Sequence, residues 1–147
     1  MTTLDDAVAL ASDESGLAVV STLRADGTIQ ASLVNAGKLP QPATGTEALA
    51  FVTYGRVKLA NLRARSQLAV TFRKGWQWAT VEGRAELAGP DDPQPWLTDA
   101  EQLRLLLREV FTAAGGTHDD WDTYDRVMAD ERRTAVMLIP QRVYANA

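Results

Sequence analysis

The chain has 147 residues, of which 46% are hydrophobic and 23% charged, with a net charge of −4 and no cysteine. The length suits one folded, soluble domain, and the lack of cysteine excludes disulfides, thiolate catalysis and cysteine-based metal sites. The negative charge disfavours nucleic acid as the main partner. The acidic N-terminus is unlike a signal peptide, and no apolar run is long enough to span a membrane, so we expect a cytoplasmic protein with no membrane partner.

In chain order, the first predicted elements are a helix over residues 3–15 and a β-hairpin. Apolar residues recur at helical spacing after Thr3, and either Thr3 or Thr2 can cap the helix. Two β-rich runs, 17–23 and 28–35, flank Asp26-Gly27, a dipeptide that favours a tight hairpin turn. Residues 36–47 contain two prolines and two glycines and are predicted to form a loop.

Four more strands and three helices follow. The strands are predicted at 49–53, 68–73, 76–87 and 134–139. One helix is predicted between the first two of these strands, a second begins after a cap at Thr98, and a third covers 121–132. A bulge is predicted at Gly83. Because the hairpins are local and a regular β–α alternation is missing, we expect a mainly β (α+β) fold. It would be a single domain over residues 1–147, built as a six-stranded antiparallel barrel with flanking helices.

The segment from Thr53 to Arg65 has an unusual charge. Arg56 and Lys58 are predicted in the first turn of a helix, where a cation is unfavourable by a few tenths to about 1 kcal/mol. Residues 48–81 contain six Lys or Arg and no Asp or Glu, although about four acids would be expected at the chain average. An anion bound at the helix start would explain both features, because amide groups, helix dipole and side-chain charges would converge on it.

The same segment can also be a solvated surface. Lys58, Asn61 and Arg65 recur at i, i+3 and i+7, which would place them on one exposed face opposite a core stripe of Leu59 and Leu62. Arg65 would need no ligand, because cations near the end of a helix complement its dipole. The residue pattern leaves both interpretations open.

Motifs for catalysis by side chains are absent. The sequence has no G-x-G-x-x-G, P-loop or G-x-S-x-G pattern. The single histidine, His118, precedes Asp119-Asp120, a run more typical of a loop and helix cap than of a metal ligand or a Ser-His-Asp arrangement. We therefore predict no metal site and assign no catalytic residue.

Trp76 and Trp78 lie on one side of the long predicted strand 76–87. They are either core side chains or the wall of a site for a flat ring. Beside an anion-binding helix start, the second interpretation fits a protein that binds a cofactor supplying its own chemistry.

Several segments together carry a resemblance to a known family. They are residues 16–27, Arg56 to Leu62, Gly75-Trp76 with residues 81–85, residues 118–122 and residues 139–144. In their order and spacing they resemble the split-barrel proteins related to pyridoxamine 5'-phosphate oxidase, and specifically the actinobacterial branch that uses the deazaflavin coenzyme F420.

The resemblance implies a split β-barrel of the FMN-binding type and a homodimer with cofactor sites at the subunit interface. Arg56 and Lys58 match the phosphate ligands of the family, Thr53 lies beside them, and Asn61 belongs to the same matched segment. Ser32 and Asn35 belong to the strand that runs along the deazaflavin ring. Trp76 and Trp78 correspond to the strand that closes the site, contributed by the partner subunit.

The activity implied by the resemblance is hydride transfer from the reduced deazaflavin to an electrophilic small molecule of the conjugated carbonyl, quinone or tetrapyrrole type. One alternative is an FMN-dependent oxidase or flavin reductase of the same fold. Another is a non-catalytic protein that binds the coenzyme or a tetrapyrrole.

Overall fold

The computed structural model describes residues 1–146, which form one antiparallel sheet with helices packed on it. The sheet order is β2-β1-β5-β6-β7-β4-β3, so β2 and β3 are its edges. The strands are β1 Leu17–Leu23, β2 Ile29–Asn35, β3 Gly37–Pro40, β4 Glu47–Thr53, β5 Gln67–Lys74, β6 Gln77–Ala88 and β7 Thr134–Ala145. The helices are α1 Leu4–Ala9, α2 Arg56–Ala64, α3 Ala100–Ala113 and α4 Trp121–Asp130, with a 3₁₀ turn at Ser12–Glu14.

Two apolar clusters stabilise the two sides of this sheet. On the inner side, alternate residues such as Val20, Phe51 and Phe72 are fully buried against each other and against α2. On the outer side of β4 and β7, Ala50 and Met137 pack against α3 and α4. Because α3 and α4 cover only that part of the sheet, the outer side of β1, β2 and β5 is left exposed.

The predicted six-stranded barrel is wrong in its number of strands and in its closure. The sheet is open and has seven strands, because residues 37–40 form β3 and pair with residues 47–50 of β4. The predicted loop over 36–47 is therefore wrong for residues 37–40. This segment is too short to show a periodicity of its own, and its Pro40 lies at the end of an edge strand, where proline is tolerated.

Several local predictions are confirmed. Thr3 caps α1 in a capping box with Asp6, and the Asp26-Gly27 turn joins β1 to β2. The register of β6 against β7 shifts between Glu82 and Gly83, where an added Cβ would lie 2.0 Å from a β7 carbonyl oxygen.

Several boundaries differ from the prediction. The first helix ends at Ala9, and a separate 3₁₀ turn follows at Ser12–Glu14. Asp99, rather than Thr98, is the N-cap of α3 and accepts the N–H of Gln102 at 2.8 Å. The last strand continues through Pro140 to Ala145 without interruption. In the described part of the chain, none of the helices has the length and apolar character needed to cross a bilayer.

Candidate functional site

The start of α2 leaves backbone donors open. β4 ends at Thr53, and Gly55 is the N-cap of α2, where no side chain accepts a hydrogen bond from the first turn. That turn has no acidic residue. The Thr53 Oγ1 atom accepts the N–H of Gly55 at 3.1 Å, which fixes the bend between strand and helix. The first N–H groups of α2 therefore remain available to an anion, one of the two interpretations that the residue pattern left open.

Lys58 is the central side chain of this site. It is only 7% exposed, and its Nζ donates to Thr53 Oγ1 at 3.3 Å. Burial lowers the pKa of Lys58 from its ordinary value, and the positive charge of Arg133 lowers it further. Within residues 1–146 no carboxylate forms an ion pair with Lys58. A buried ammonium without a counter-ion is costly, so this position fits an anionic ligand.

Most other cations near the helices are neutralised by carboxylates, in contrast to Lys58. Arg63 pairs with Asp92 at 2.6 Å and Lys38 with Asp5 at 2.9 Å. Ion pairs also engage Arg104, Arg108, Arg132 and Arg133. Arg56 is exposed and makes no hydrogen bond or ion pair with any other described residue. Two cations at the helix start, one buried and one exposed, are thus left for a ligand.

Arg133 and Tyr54 complete the surroundings of this helix start. Thr53 pairs with Thr134 across β4 and β7, which brings the residues beside them together. The Arg133 Cζ atom lies 3.9 Å from the centroid of the Tyr54 ring, and the guanidinium also donates to Glu131 at 2.9 Å. No local sequence pattern indicates Arg133, because only the pairing of two distant strands places it here.

The interpretation of Lys58, Asn61 and Arg65 as a solvated face is contradicted by burial. Asn61 is 6% exposed, and its Nδ2 donates to Thr22 Oγ1 at 3.0 Å inside the sheet. The Arg65 Nε atom donates to the carbonyl oxygen of Leu23 at 3.0 Å. Asn61 therefore holds α2 against β1, and its amide does not lie at the open helix start.

Ser32 and Asn35 lie on opposite sides of β2. Ser32 faces the inner side, where its buried Oγ atom has no hydrogen-bond partner among the described residues. Asn35 is exposed on the outer side and donates to the carbonyl oxygen of Ser15 at 3.0 Å. The structure thus brings only one of the two predicted ring contacts to the outer surface.

The two tryptophans are not core residues. Trp76 is 93% exposed in the turn before β6, and Trp78 is 36% exposed on the outer side of the sheet, where its ring packs edge-on against Tyr144. Trp78 lies beside the C-terminal end of β7, whereas Thr53 pairs with Thr134, the first residue of β7. These two ends of a 12-residue strand are separated by about 30 Å or more along the sheet. Within one subunit, Trp78 therefore does not reach Lys58.

A cavity of about 650 Å³ lies between β4, α3 and α4. Val52 of β4 forms part of its wall, Arg133 lies at one margin, and Asn35 and His118 also line it. Arg133 links the cavity to the start of α2, because its charge lowers the pKa of Lys58, although Val52 faces the outer side of β4 and Thr53 the inner side. A small ligand can therefore occupy the space between Arg133 and Asn35.

The described residues thus form an open antiparallel sheet, a helix after β4 without a side-chain cap, and a buried lysine in that helix without a carboxylate partner. The family comparison agrees with this geometry. Residues 4–145 match the family model described as pyridoxamine 5'-phosphate oxidase. The chain belongs to this family.

Solved structures share the fold at low sequence identity. The conserved hypothetical protein Rv2991 from Mycobacterium tuberculosis is 15% identical with a TM-score of 0.67, covering 99% of this chain and 84% of that one. A pyridoxamine 5'-phosphate oxidase-related, FMN binding protein from Nostoc punctiforme is 14% identical with a TM-score of 0.60, covering 99% and 86%. A protein described as an F420 reductase is 17% identical with a TM-score of 0.51, covering 87% and 88%.

Proposed function

We propose that this protein is an F420-dependent reductase that transfers a hydride from the reduced deazaflavin to an electrophilic small molecule. The observation that carries the proposal is Lys58, a buried ammonium with no carboxylate partner in residues 1–146, placed at an uncapped helix start. The fold is shared with a protein described as an F420 reductase. The absence of a side-chain catalytic motif in the sequence fits a protein whose chemistry is supplied by a bound cofactor.

The residues at the start of α2 would hold the phosphodiester of the coenzyme. Lys58 and Arg56 would supply charge, and the first N–H groups of the helix would donate to the phosphate oxygens. Thr53 already accepts hydrogen bonds from Gly55 and Lys58, so its own hydroxyl hydrogen is free to point to the ligand. When bound, the reduced deazaflavin would supply the hydride, while the chain holds the acceptor nearby and excludes water.

The number of cations favours a ligand with several negative charges. Arg133 is close enough to Lys58 to affect its pKa, although it also pairs with Glu131, and Arg56 has no partner among the described residues. A phosphodiester followed by a glutamate tail, as in coenzyme F420, would use more of this positive charge than a single phosphate monoester. We therefore prefer F420 to FMN as the cofactor.

We further propose a homodimer with the cofactor at the subunit interface. The outer side of β1 and β2 exposes apolar side chains that are neighbours by strand register, because Leu33 pairs with Val19 and both are more than 40% exposed. Other large apolar side chains on this side are Leu17, Ile29, Trp78 and Tyr144. A contiguous apolar surface of this kind is typical of a protein–protein interface.

A homodimer would also explain where Trp76 and Trp78 act. Because Trp78 is far from Lys58 within one subunit, it can contact the same ligand only as a residue of the partner. Each cofactor would then lie between the α2 start of one subunit and the outer sheet of the other. Asn35, on the same outer side as Trp78, would lie along the ring.

Two alternative functions make different predictions from those of an F420-dependent reductase. An FMN-dependent oxidase or flavin reductase would use the same anion site, and the fold is shared with an FMN binding protein. A non-catalytic carrier would bind the coenzyme or a tetrapyrrole without turnover. The first predicts a preference for FMN, and the second predicts binding without reduction of any acceptor.

The proposal is tested by titrating the purified protein with F420 and with FMN and following the change in cofactor absorbance or fluorescence. We expect tighter binding of F420, and we expect Lys58→Ala to weaken it by about 1.5–3 kcal/mol, the range for a charge-assisted hydrogen bond. Lys38→Ala is the matched control, because Lys38 is already neutralised by Asp5 and Glu47. Tighter binding of FMN, or equal effects of the two substitutions, would contradict the proposal.

A further inference from the structure

The 650 Å³ cavity between β4, α3 and α4 has mainly apolar walls. Its apolar side chains come from three elements, so the space is shaped by their packing and not by one flexible loop. They are Val52, Val110, Phe111, Tyr124, Val127 and Met128. A pocket of this size and composition fits a drug-sized, largely apolar molecule, with orientation set by the few polar groups in its wall.

Two of the polar groups in the wall are already engaged. The Tyr124 hydroxyl donates to the carbonyl oxygen of Leu107 at 2.9 Å, and burial raises the pKa of Tyr124 to about 12. The Arg133 guanidinium is held by Glu131 and by the ring of Tyr54. Neither group is positioned as a neutral donor directed at a ligand within the cavity.

Of the other polar side chains in the wall, which are Ser15, Asn35, Thr117, Thr123 and His118, the one packed among aromatic rings is His118. Its Nδ1 accepts the N–H of Asp120 at 2.9 Å, so the neutral imidazole carries its hydrogen on Nε2. Nε2 has no acceptor among the described residues. The ring is held by Phe111, Trp121 and Tyr124, whose centroids lie 5.7–6.3 Å from its own. The His118 side chain, which is 30% exposed, therefore lies in the cavity wall with its Nε2–H open to water or to a ligand.

We propose that this cavity binds the hydride acceptor, and that His118 selects a flat, largely apolar molecule with a carbonyl oxygen by donating from Nε2. The hydride transfer in this inference rests on the proposed function, whereas binding of the molecule in the cavity does not. In the reaction, the hydride adds to the electrophilic carbon conjugated with the carbonyl, and the displaced π electron pair moves to the oxygen. A proton from solvent completes the reduction.

The hydrogen bond from His118 would strengthen as this step proceeds. The oxygen gains negative charge on hydride addition, and a donor fixed in place before the reaction stabilises that charge without rearranging. Because Nδ1 is occupied by the Asp120 N–H, the ring cannot turn over to present its other nitrogen without losing that bond. His118 therefore acts both on affinity and on the choice between acceptors.

The experiment measures binding to the coenzyme-free protein by calorimetry, using 2-acetylnaphthalene and its hydrocarbon isostere 2-isopropylnaphthalene. We expect the ketone to bind about three- to tenfold more tightly than the hydrocarbon, the effect of one neutral hydrogen bond. His118→Asn keeps an acceptor for the Asp120 N–H but has no N–H at the Nε2 position, and should abolish this preference. His118→Gln keeps an N–H near the Nε2 position and should retain it.

A second pair of variants locates the binding. Val127→Trp should fill the cavity and weaken both compounds at least tenfold, whereas Leu105→Trp, at an exposed position of α3 that does not line the cavity, should change neither. Thermal melting checks that each variant is folded. Saturating F420 should leave ketone binding intact.

Three results would overturn the inference: a ketone preference that survives in His118→Asn, no loss of binding in Val127→Trp, or displacement of the ketone by F420. Absence of binding by either compound would do the same. Failure of F420 to bind, with the ketone results as expected, would instead remove the proposed function and leave the pocket assignment standing.

Discussion

The Lys58 Nζ atom lies 3.3 Å from Thr53 Oγ1, and this hydroxyl is its only hydrogen-bond partner among residues 1–146. The side chain is 7% exposed, so the ammonium has lost most of its water without gaining a counter-ion. Such an arrangement destabilises the ligand-free protein and favours the binding of an anion. Stability and binding at this position should therefore respond in opposite directions to the loss of the charge.

Replacing Lys58 by methionine should separate these two effects. Lys58→Met retains most of the buried aliphatic chain but removes the charge, and we expect the ligand-free protein to become more stable by about 1–2 kcal/mol. This corresponds to a rise in melting temperature of roughly 2–8 °C. The stabilisation of the wild type by added F420 should be absent in the variant. Calorimetric melting with and without F420 measures both, and a lower melting temperature in ligand-free Lys58→Met would contradict the argument.

The pH dependence follows from the direction of the Lys58 pKa. Burial lowers this pKa below the ordinary value of 10.5, so between the two values the unfolded chain binds more protons than the folded one. In that window the contribution of Lys58 to the stability of the ligand-free protein rises with pH. The affinity for an anion falls over the same window, because Lys58 loses its charge while a phosphodiester keeps its own.

Lys58→Arg is the control for this pH dependence, since arginine stays protonated throughout the range. Titrations with F420 between neutral pH and pH 10.5 should show a decline in affinity for the wild type. The variant should bind with an affinity that changes little across the same range. A parallel decline in both proteins would assign the pH dependence to another group.

Much of this site could be predicted from the sequence, because its main signals are local. The acid-free stretch around Arg56 and Lys58, and the helix start after a strand, are properties of consecutive residues. Arg133 and Tyr54 come together only through the pairing of Thr53 with Thr134, and no local pattern encodes which distant strands pair. The same limit applies to β3, whose pairing with β4 turns a proline-containing segment into a strand.

Burial was harder to predict than secondary structure. Lys58 and Asn61 are spaced as on one exposed face of a helix. Both side chains are nevertheless buried, because this face of α2 packs against the sheet, where Asn61 contacts β1. Ser32 and Asn35 belong to one strand, but their separation of three residues sends them to opposite sides of it.

Substitution of Ser32 tests how the buried polar groups near the site affect the free energy of unfolding. Its Oγ atom is buried without a partner in the described residues, so Ser32→Ala should leave the free energy of unfolding unchanged or raise it by up to about 1 kcal/mol. Thr22→Val is the contrasting variant, because it leaves the Asn61 amide without its acceptor and should cost about 1–3 kcal/mol. Urea unfolding measures both. A clear loss of stability in Ser32→Ala would show that the hydroxyl has a partner, and weaker F420 binding would make that partner the cofactor.

The exposed apolar surface of β1 and β2 predicts how the subunits associate. Leu33→Glu places a charge opposite Val19 in the middle of this surface, and we expect it to shift the protein from dimer to monomer. Leu105→Glu, at an apolar position of α3 that is also exposed, should leave the dimer intact. Sedimentation velocity measures the change. A monomeric wild type, or dissociation by Leu105→Glu alone, would contradict the proposed interface.

The last prediction concerns which subunit supplies each part of the cofactor site. If Lys58 of one subunit and Trp78 of its partner contact the same ligand, Lys58→Ala and Trp78→Ala should each weaken F420 binding as separate proteins. When equal amounts of the two variants are combined and allowed to exchange subunits, half of the dimers contain one subunit of each variant. Each of these heterodimers has one intact site. About a quarter of all sites should then bind with wild-type affinity.

The control mixes Lys58→Ala with the double variant Lys58→Ala, Trp78→Ala. No dimer in that mixture contains Lys58, so no high-affinity site can form, although subunits exchange equally well. Fluorescence titration counts the high-affinity sites in each mixture. Recovery in the first mixture only would place the two residues in one shared site. Equal results in both mixtures would mean that Trp78 acts within its own subunit, although the length of β7 separates it there from the start of α2.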